Sequence, residues 1–240
     1  MDTQEVRGGL LFDKDGTIFD FAATWAGVID RVLDEVTPDR ALQLRIAREG
    51  GYDPETGHFA PGSLTVAAPL DEVAALWAGF LPDRSAAEIE DIANRIVERA
   101  AADGALVPAV PDLPGLLDGL RRDGFILGIA THDSEAAAIQ HLSVAGVIDR
   151  FDFIAGYDSG HGLKPGPGML LAFCAATGLA ADRVVMVGDS IHDLGVAPAA
   201  GAAMAVGVLT GPATRADLAP LADHVLDSIG GLPDLLRGRL

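Results

Sequence analysis

A chain of 240 residues with 49% apolar composition is long enough for one α/β domain of ordinary size with an insertion, or for two small domains, and can bury a sizeable core. Its formal net charge of -18 argues against nucleic acid, an anionic membrane or any other polyanionic surface as partner, and any site for a small anion must carry its own local positive charge. A single cysteine, Cys174, excludes an internal disulfide, and the polar, acidic start Met1 to Glu5 shows no secretory signal, so a cytoplasmic protein is expected.

The first element sets the frame. Leu10, Leu11 and Phe12 form an apolar run too short for a helix, flanked by Gly9 and Gly16, which reads as a strand of a parallel sheet buried on both faces. It stops at Asp13 and Asp15. Residues two apart in an extended chain point the same way, although Gly16 signals that the backbone is already turning. Two such acids repel as anions, and either a dication between them or a proton kept on one of them relieves the repulsion. In either case one acid can attack as a carboxylate while the other supplies a proton. The bland alternative is an Asp-Gly turn in which Asp15 caps the next segment of the chain.

Helical spacing then takes over. Trp25, Val28, Ile29, Val32, Leu33 and Val36 repeat on one helix face until Pro38, and a second helix is predicted from Asp39 to Glu49, ended by Gly50-Gly51. Tyr52 to Pro69 reads as a loop rich in Gly, Pro and Asp, long enough to suggest a role. Leu70, Val73, Leu76, Trp77 and Phe80 mark a third helix. Ser85 with Glu88 forms a capping box for a fourth, which ends near Gly104. With no strand expected, residues 21–104 read as an inserted all-helical domain, and residues 1–20 and 105–240 as an α/β core.

Beyond Val107 strands and helices alternate, as in a doubly wound parallel sheet, Rossmann-like in outline. A helix through Leu113 and Leu120 leads to the strand Phe125 to Ala130, which ends at Thr131-His132. A helix runs from Ser134 or Glu135 to Val144 and the next strand is Phe153-Ile154-Ala155. Lys164-Pro165 precedes a helix from about Gly168 to Thr177. Val184 to Val187 is the most strongly β segment, ending at Gly188-Asp189-Ser190 and followed by Asp193. Strands near Ala205 to Val208 and at Val225-Leu226, and a helix around Pro233 to Leu236, close the chain. Leu194 to Thr214 carries no charge, but its glycines and prolines suit a short helix and a strand better than a membrane span.

Three strands thus end in polar residues, and the carboxyl ends of parallel strands share one edge. Asp13 and Asp15, Thr131 and His132, and Asp189 with Asp193 can meet there. Acids from two strands make an oxygen-rich site that suits Mg²⁺ better than zinc. Of the 17 basic residues only Lys14 and Lys164 are lysines. Lys164, in a loop before a helix, is either an ordinary solvent-facing charge or the cation that such a site needs beside a phosphate, and the second reading is favoured.

At this point the chain resembles the phosphatases of the haloacid dehalogenase-like superfamily. Asp13-Lys14-Asp15-Gly16-Thr17 matches their first motif, Thr131 the second, Lys164 the third, and Gly188-Asp189 with Asp193 the fourth. The helical insertion after the first motif is similar to the cap of the phosphoglycolate phosphatase and β-phosphoglucomutase branch. The resemblance implies that Asp13 is the nucleophile of an aspartyl-phosphate and that Asp15 protonates the leaving oxygen and later activates water. It implies Mg²⁺ on Asp13, the Asp15 carbonyl and Asp189, phosphate binding by Thr131, His132 and Lys164, and support from Asp193 and Thr17. His132 stands where the family usually has asparagine, and pH dependence near neutrality is expected from it. Asp15 argues against a dehalogenase, and the absence of lysine from residues 21–104 against a phosphonate hydrolase; a sugar-phosphate mutase and a non-catalytic binding protein are the alternatives. The expected substrate is a small phosphorylated metabolite, phosphoglycolate first, selected by the long loop through His58 and Ser63; Arg45 and Arg48 are nearby cations, although a solvated helix face is the favoured reading of both.

Overall fold

The computed structural model describes residues 6–238, so Met1 to Glu5 lie outside the described residues. In chain order, β1 (Gly8–Phe12) is followed by α1 (Phe21–Val36), α2 (Arg40–Glu49), β2 (Tyr52–Asp53), β3 (His58–Phe59), α3 (Leu64–Ala67), α4 (Leu70–Ala78) and α5 (Ala86–Ala102). Then come α6 (Leu113–Arg122), β4 (Phe125–Ala130), α7 (Glu135–Val144), β5 (Phe153–Ala155), α8 (Gly168–Thr177), β6 (Val184–Gly188), α9 (Ile191–Ala200), β7 (Met204–Val208), α10 (Arg215–Leu218), β8 (His224–Leu226) and α11 (Leu232–Leu236). The chain divides into two compact units, one of residues up to Asp20 and from Pro108 onward, the other Phe21 to Val107.

The first unit is a six-stranded sheet in the order β5-β4-β1-β6-β7-β8, every pairing parallel, with helices flanking it. β1 is central. Leu10, Leu11 and Phe12 have no exposed surface, which accounts for a run that is apolar at every position rather than alternating. Its register sets Phe12 beside Ile129 of β4 and Val187 of β6, so Asp13, Thr131 and Asp189 all leave the sheet at one edge. Glycines in two strands serve packing. Cβ atoms at Gly9 and Gly128 would stand 2.6 and 2.8 Å from the Phe173 ring, so their absence lets that side chain lie flat on the sheet between α8 and β1. Phe173 is itself fully buried, among Met169, Leu170, Met186 and Leu194.

The second unit packs its helices around Leu33, Ile46, Tyr52, Trp77 and Ile89. Asp39 caps α2 by accepting from the backbone of Ala41 and Leu42, and Ser85 and Glu88 form the capping box read in the sequence. The segment expected to be an open loop is more ordered. Tyr52 pairs with Phe59 in a two-residue antiparallel ladder, their rings stack with centroids 4.5 Å apart, and the Tyr52 hydroxyl donates to Asp30. The helical unit also runs past Gly104 to Val107, because Ala105 packs on its core and the Val107 N–H donates to Thr24 Oγ1 at 3.0 Å. Among the described residues no helix is long and apolar enough to cross a membrane.

Candidate active site

The site forms at the carboxyl edge of β4, β1 and β6, where the strand order reverses direction, the place at which open α/β sheets bind ligands. Asp13 is the first residue past β1. Its N–H donates to Val187 O at 2.8 Å, which holds the backbone in line with the sheet while the carboxylate turns to Lys164. The Lys164 ammonium is buried, and its three donors are all used: Asp13 Oδ1 and Asp193 Oδ1 at 2.6 Å each, and the Ala130 carbonyl at 2.9 Å. Asp193 is held in turn by the first turn of α9. Its Oδ2 accepts from the N–H and hydroxyl of Ser190, a capping box that fixes the carboxyl before it meets lysine.

Asp13, Asp189 and Asp193 are buried, and their carboxylate oxygens lie within 4.8 Å of one another. Burial pushes the Asp13 carboxyl up to about 7, with Lys164 pulling the other way. Asp189 is also raised well above the usual carboxylate range, by burial first and then by Asp193 and Asp13. That Asp13 and Asp189 resist ionisation marks a cluster short of positive charge. Asp193 is committed to Lys164 and Ser190, which leaves Asp13 and Asp189 as oxygen donors suited to a hard dication such as Mg²⁺. Space for Asp189 is made by glycine. A Cβ on Gly16, whose φ is +82°, would lie 2.5 Å from Asp189 Oδ2, and one on Gly211 only 1.7 Å away.

Thr131 follows β4, and its Oγ1 accepts the Asp133 N–H at 3.1 Å, so its own proton is left to donate outward. His132 follows Thr131 on the same loop. Its Nε2 accepts the Lys164 backbone N–H at 3.2 Å, tying down the loop that carries the lysine. Burial first, and Lys164 second, hold its imidazole down at about 4. The charge change expected near neutrality therefore falls in the acid range. Thr17 is fully buried, and its Oγ1 makes no hydrogen bond among the described residues, so the support expected from it reaches none of them as a polar contact.

One group carries no expectation from the sequence. Lys14 is entirely buried; its Nζ donates to Asp15 Oδ2, to Asp133 Oδ2 at 2.9 Å and to His141 Nδ1 at 3.1 Å. Both lysines of the chain thus belong to this edge of the sheet, and their rarity is the signal that points to the second as well as the first. Thr210, beyond β7, has no such signal. Its hydroxyl donates to the Gly16 carbonyl at 2.6 Å and braces the turn after Asp15.

In the helical unit His58 is exposed, whereas the Ser63 hydroxyl is buried without a hydrogen bond among the described residues. The two arginines named with them are engaged locally. Arg48 pairs with Asp53 and Glu55, and Arg45 lies over the Phe80 ring.

The chain is similar to known proteins over most of its length. The pattern of the haloacid dehalogenase-like hydrolases matches residues 8–201. A phosphoglycolate phosphatase of Cereibacter sphaeroides is 32% identical over 232 residues, 95% of this chain and 97% of that one. A phosphoglycolate phosphatase of Chromobacterium violaceum is 32% identical over 231 residues, covering 94% and 95%. The crystal structure of a β-phosphoglucomutase from Clostridium difficile superposes with a TM-score of 0.62 at 18% identity, over 95% of this chain and 93% of that one, which is a likeness of fold.

Proposed function

The chain belongs to the haloacid dehalogenase-like hydrolase family, and from that premise we propose that it is a Mg²⁺-dependent phosphatase of small phosphate monoesters, with phosphoglycolate the first substrate to test. The observation that carries the reading is the pairing of Asp13 with Lys164 beside Asp189 at the edge of the sheet, a carboxylate able to attack phosphorus with a cation beside it to offset phosphoryl charge.

In this reading Asp13 attacks phosphorus, the bond from phosphorus to the ester oxygen breaks, and Asp15 gives its proton to the departing alcohol. Water then attacks the aspartyl-phosphate. Asp15, now a carboxylate, takes a proton from that water, and Asp13 leaves as a carboxylate with inorganic phosphate released. Thr131 donates to a phosphoryl oxygen and Lys164 offsets charge on the phosphoryl group as it moves. Asp193 holds Lys164 in place. Mg²⁺ on Asp13, the Asp15 carbonyl and Asp189 supplies, when bound, the positive charge that lets an anionic phosphate approach two carboxylates.

The helical unit is read as the cap, and His58 and Ser63 as its groups that select the substrate. A panel of small phosphate esters tests the whole reading: phosphate release should require Mg²⁺, stop on chelation, and favour carboxylated or sugar-like esters. His58→Ala with Ser63→Ala should flatten the ranking while an aryl phosphate is still hydrolysed. Full activity after chelation would sink the metal assignment. Isomerisation of a sugar phosphate faster than phosphate release would favour a mutase.

A further inference from the structure

An ammonium with no exposed surface is rare, because burying it is costly unless every donor finds an acceptor. Lys14 meets that condition, with one donor each to Asp15, Asp133 and His141. Donation to His141 Nδ1 requires the tautomer that carries its proton on Nε2. The ammonium also lies over the Phe19 ring, 5.9 Å from its centroid. The backbone of the same residue is equally committed: its carbonyl accepts from Ile18 at 2.9 Å and Phe19 at 3.1 Å, which closes the turn through Asp15 and Gly16.

Stability alone does not account for such a network. Buried ion pairs can often be replaced as a whole by apolar side chains of similar volume with no loss, so a purely structural role would be served as well by an apolar set in place of Lys14 and its partners. Two of the partners point to another role. Asp15 stands on a turn rather than in the sheet, and its side chain keeps 17% of its surface exposed, so something must fix its direction. Asp133 shares a loop with Thr131 and is tied to it by the 3.1 Å hydrogen bond to Oγ1. The ammonium therefore joins the turn that carries Asp15 to the loop that carries Thr131.

We propose that Lys14 is a positioning residue: with Asp133 and His141 behind it, it holds Asp15 Oδ2 so that the carboxyl faces the ester oxygen of a substrate seated on Asp13 and Thr131. The assignment rests on Asp15 acting as the acid of the proposed reaction. Proton transfer by a placed side chain is worth about 10²- to 10⁴-fold, and it is needed most when the leaving group is a poor one. A misplacement of about 1 Å can cost on the order of 10²-fold.

The test compares phosphoglycolate, an alkyl ester, with 4-nitrophenyl phosphate, whose leaving group needs little protonation, in Mg²⁺. Asp15→Asn sets the scale by losing far more kcat on the alkyl ester than on the aryl one. Lys14→Met should lose about 100-fold in kcat on the alkyl ester and less than about 10-fold on the aryl ester, with KM for both little changed. Asp133→Asn should show the same split in weaker form, and it decides the matter should Lys14→Met fail to fold. Equal losses on both esters in folded variants, or a gain on the alkyl ester, would overturn the role of Lys14. Loss of the split in Asp15→Asn itself would instead remove the acid assignment on which the role depends.

Discussion

The ammonium of Lys164 lies 2.6 Å from the carboxylate of Asp13, so the acid read as the nucleophile is paired before any substrate arrives. The same ammonium pairs with Asp193, and Asp189 completes the cluster, so one cation faces three buried acids. Lys164→Met should therefore damage stability as well as turnover. Removing one partner of a buried pair costs roughly 3–5 kcal/mol, and Mg²⁺ should restore part of it by supplying charge to Asp13 and Asp189. Urea unfolding with and without Mg²⁺ measures this; an unchanged midpoint would show that the acids are held neutral in some other way.

Asp13→Asn is expected to abolish phosphate release while making the metal-free protein more stable above neutral pH. The folded-state carboxyl is raised to about 7 from an ordinary 3.8, so the folded chain holds a proton that the unfolded chain gives up between these values. The stability due to that proton is complete below about pH 4 and is lost as pH rises through 7. Asparagine has no proton to lose. Melting temperatures of wild type and variant should coincide near pH 4 and separate by pH 8, and Mg²⁺ should raise the wild type most at the alkaline end. A wild type whose metal-free stability is flat from pH 4 to 8 would contradict the cluster electrostatics.

His132 carries the opposite sign. Its folded-state imidazole is lowered from 6.5 to about 4, so between these values the unfolded chain binds a proton that the folded chain refuses, and stability falls as pH drops through that window. His132→Asn should melt higher than wild type near pH 5, by about a few degrees, and much like it at pH 8. Its activity profile around pH 7 should match wild type in shape. A limb near neutrality that disappears in the variant would return His132 to the role expected from its ordinary titration.

The legibility of these features follows their physics. β1 is plain in the sequence because burial on both faces makes every position apolar, and the strand ends can be grouped because parallel strands share an edge. Lys164 stands out through its rarity. Lys14 is equally rare but sits between two acids that dominate the motif, and nothing in a linear sequence places Asp133 and His141 beside it. The Tyr52 to Phe59 ladder is hidden for a related reason: two-residue strands have no periodicity, and the contact that makes them is a ring stack between residues in what reads as a loop. The role of His132 depends on its ring meeting the Lys164 backbone, a contact between residues 32 positions apart.

Gly211 is silent in the sequence for the same reason, and it offers a test of the metal position that leaves every carboxylate in the chain. Its Cα lies so near Asp189 that an added Cβ would fall 1.7 Å from Oδ2 and 2.3 Å from Cγ. Gly211 lies in the bend after β7, so an added Cβ fits only if the Asp189 side chain or that bend shifts. Gly211→Ala should turn Asp189 away from Asp13 and raise the Mg²⁺ concentration needed for half-maximal activity by about 10-fold or more, as loss of support around a metal ligand does. Gly201→Ala is the control for changing a glycine after a helix, since a Cβ there meets no atom within 4 Å, although its φ of +69° carries a local strain. Titrating Mg²⁺ against phosphate release in the two variants separates the effects. A loss of metal affinity confined to Gly211→Ala is expected, and equal affinities in both would place the metal away from Asp189.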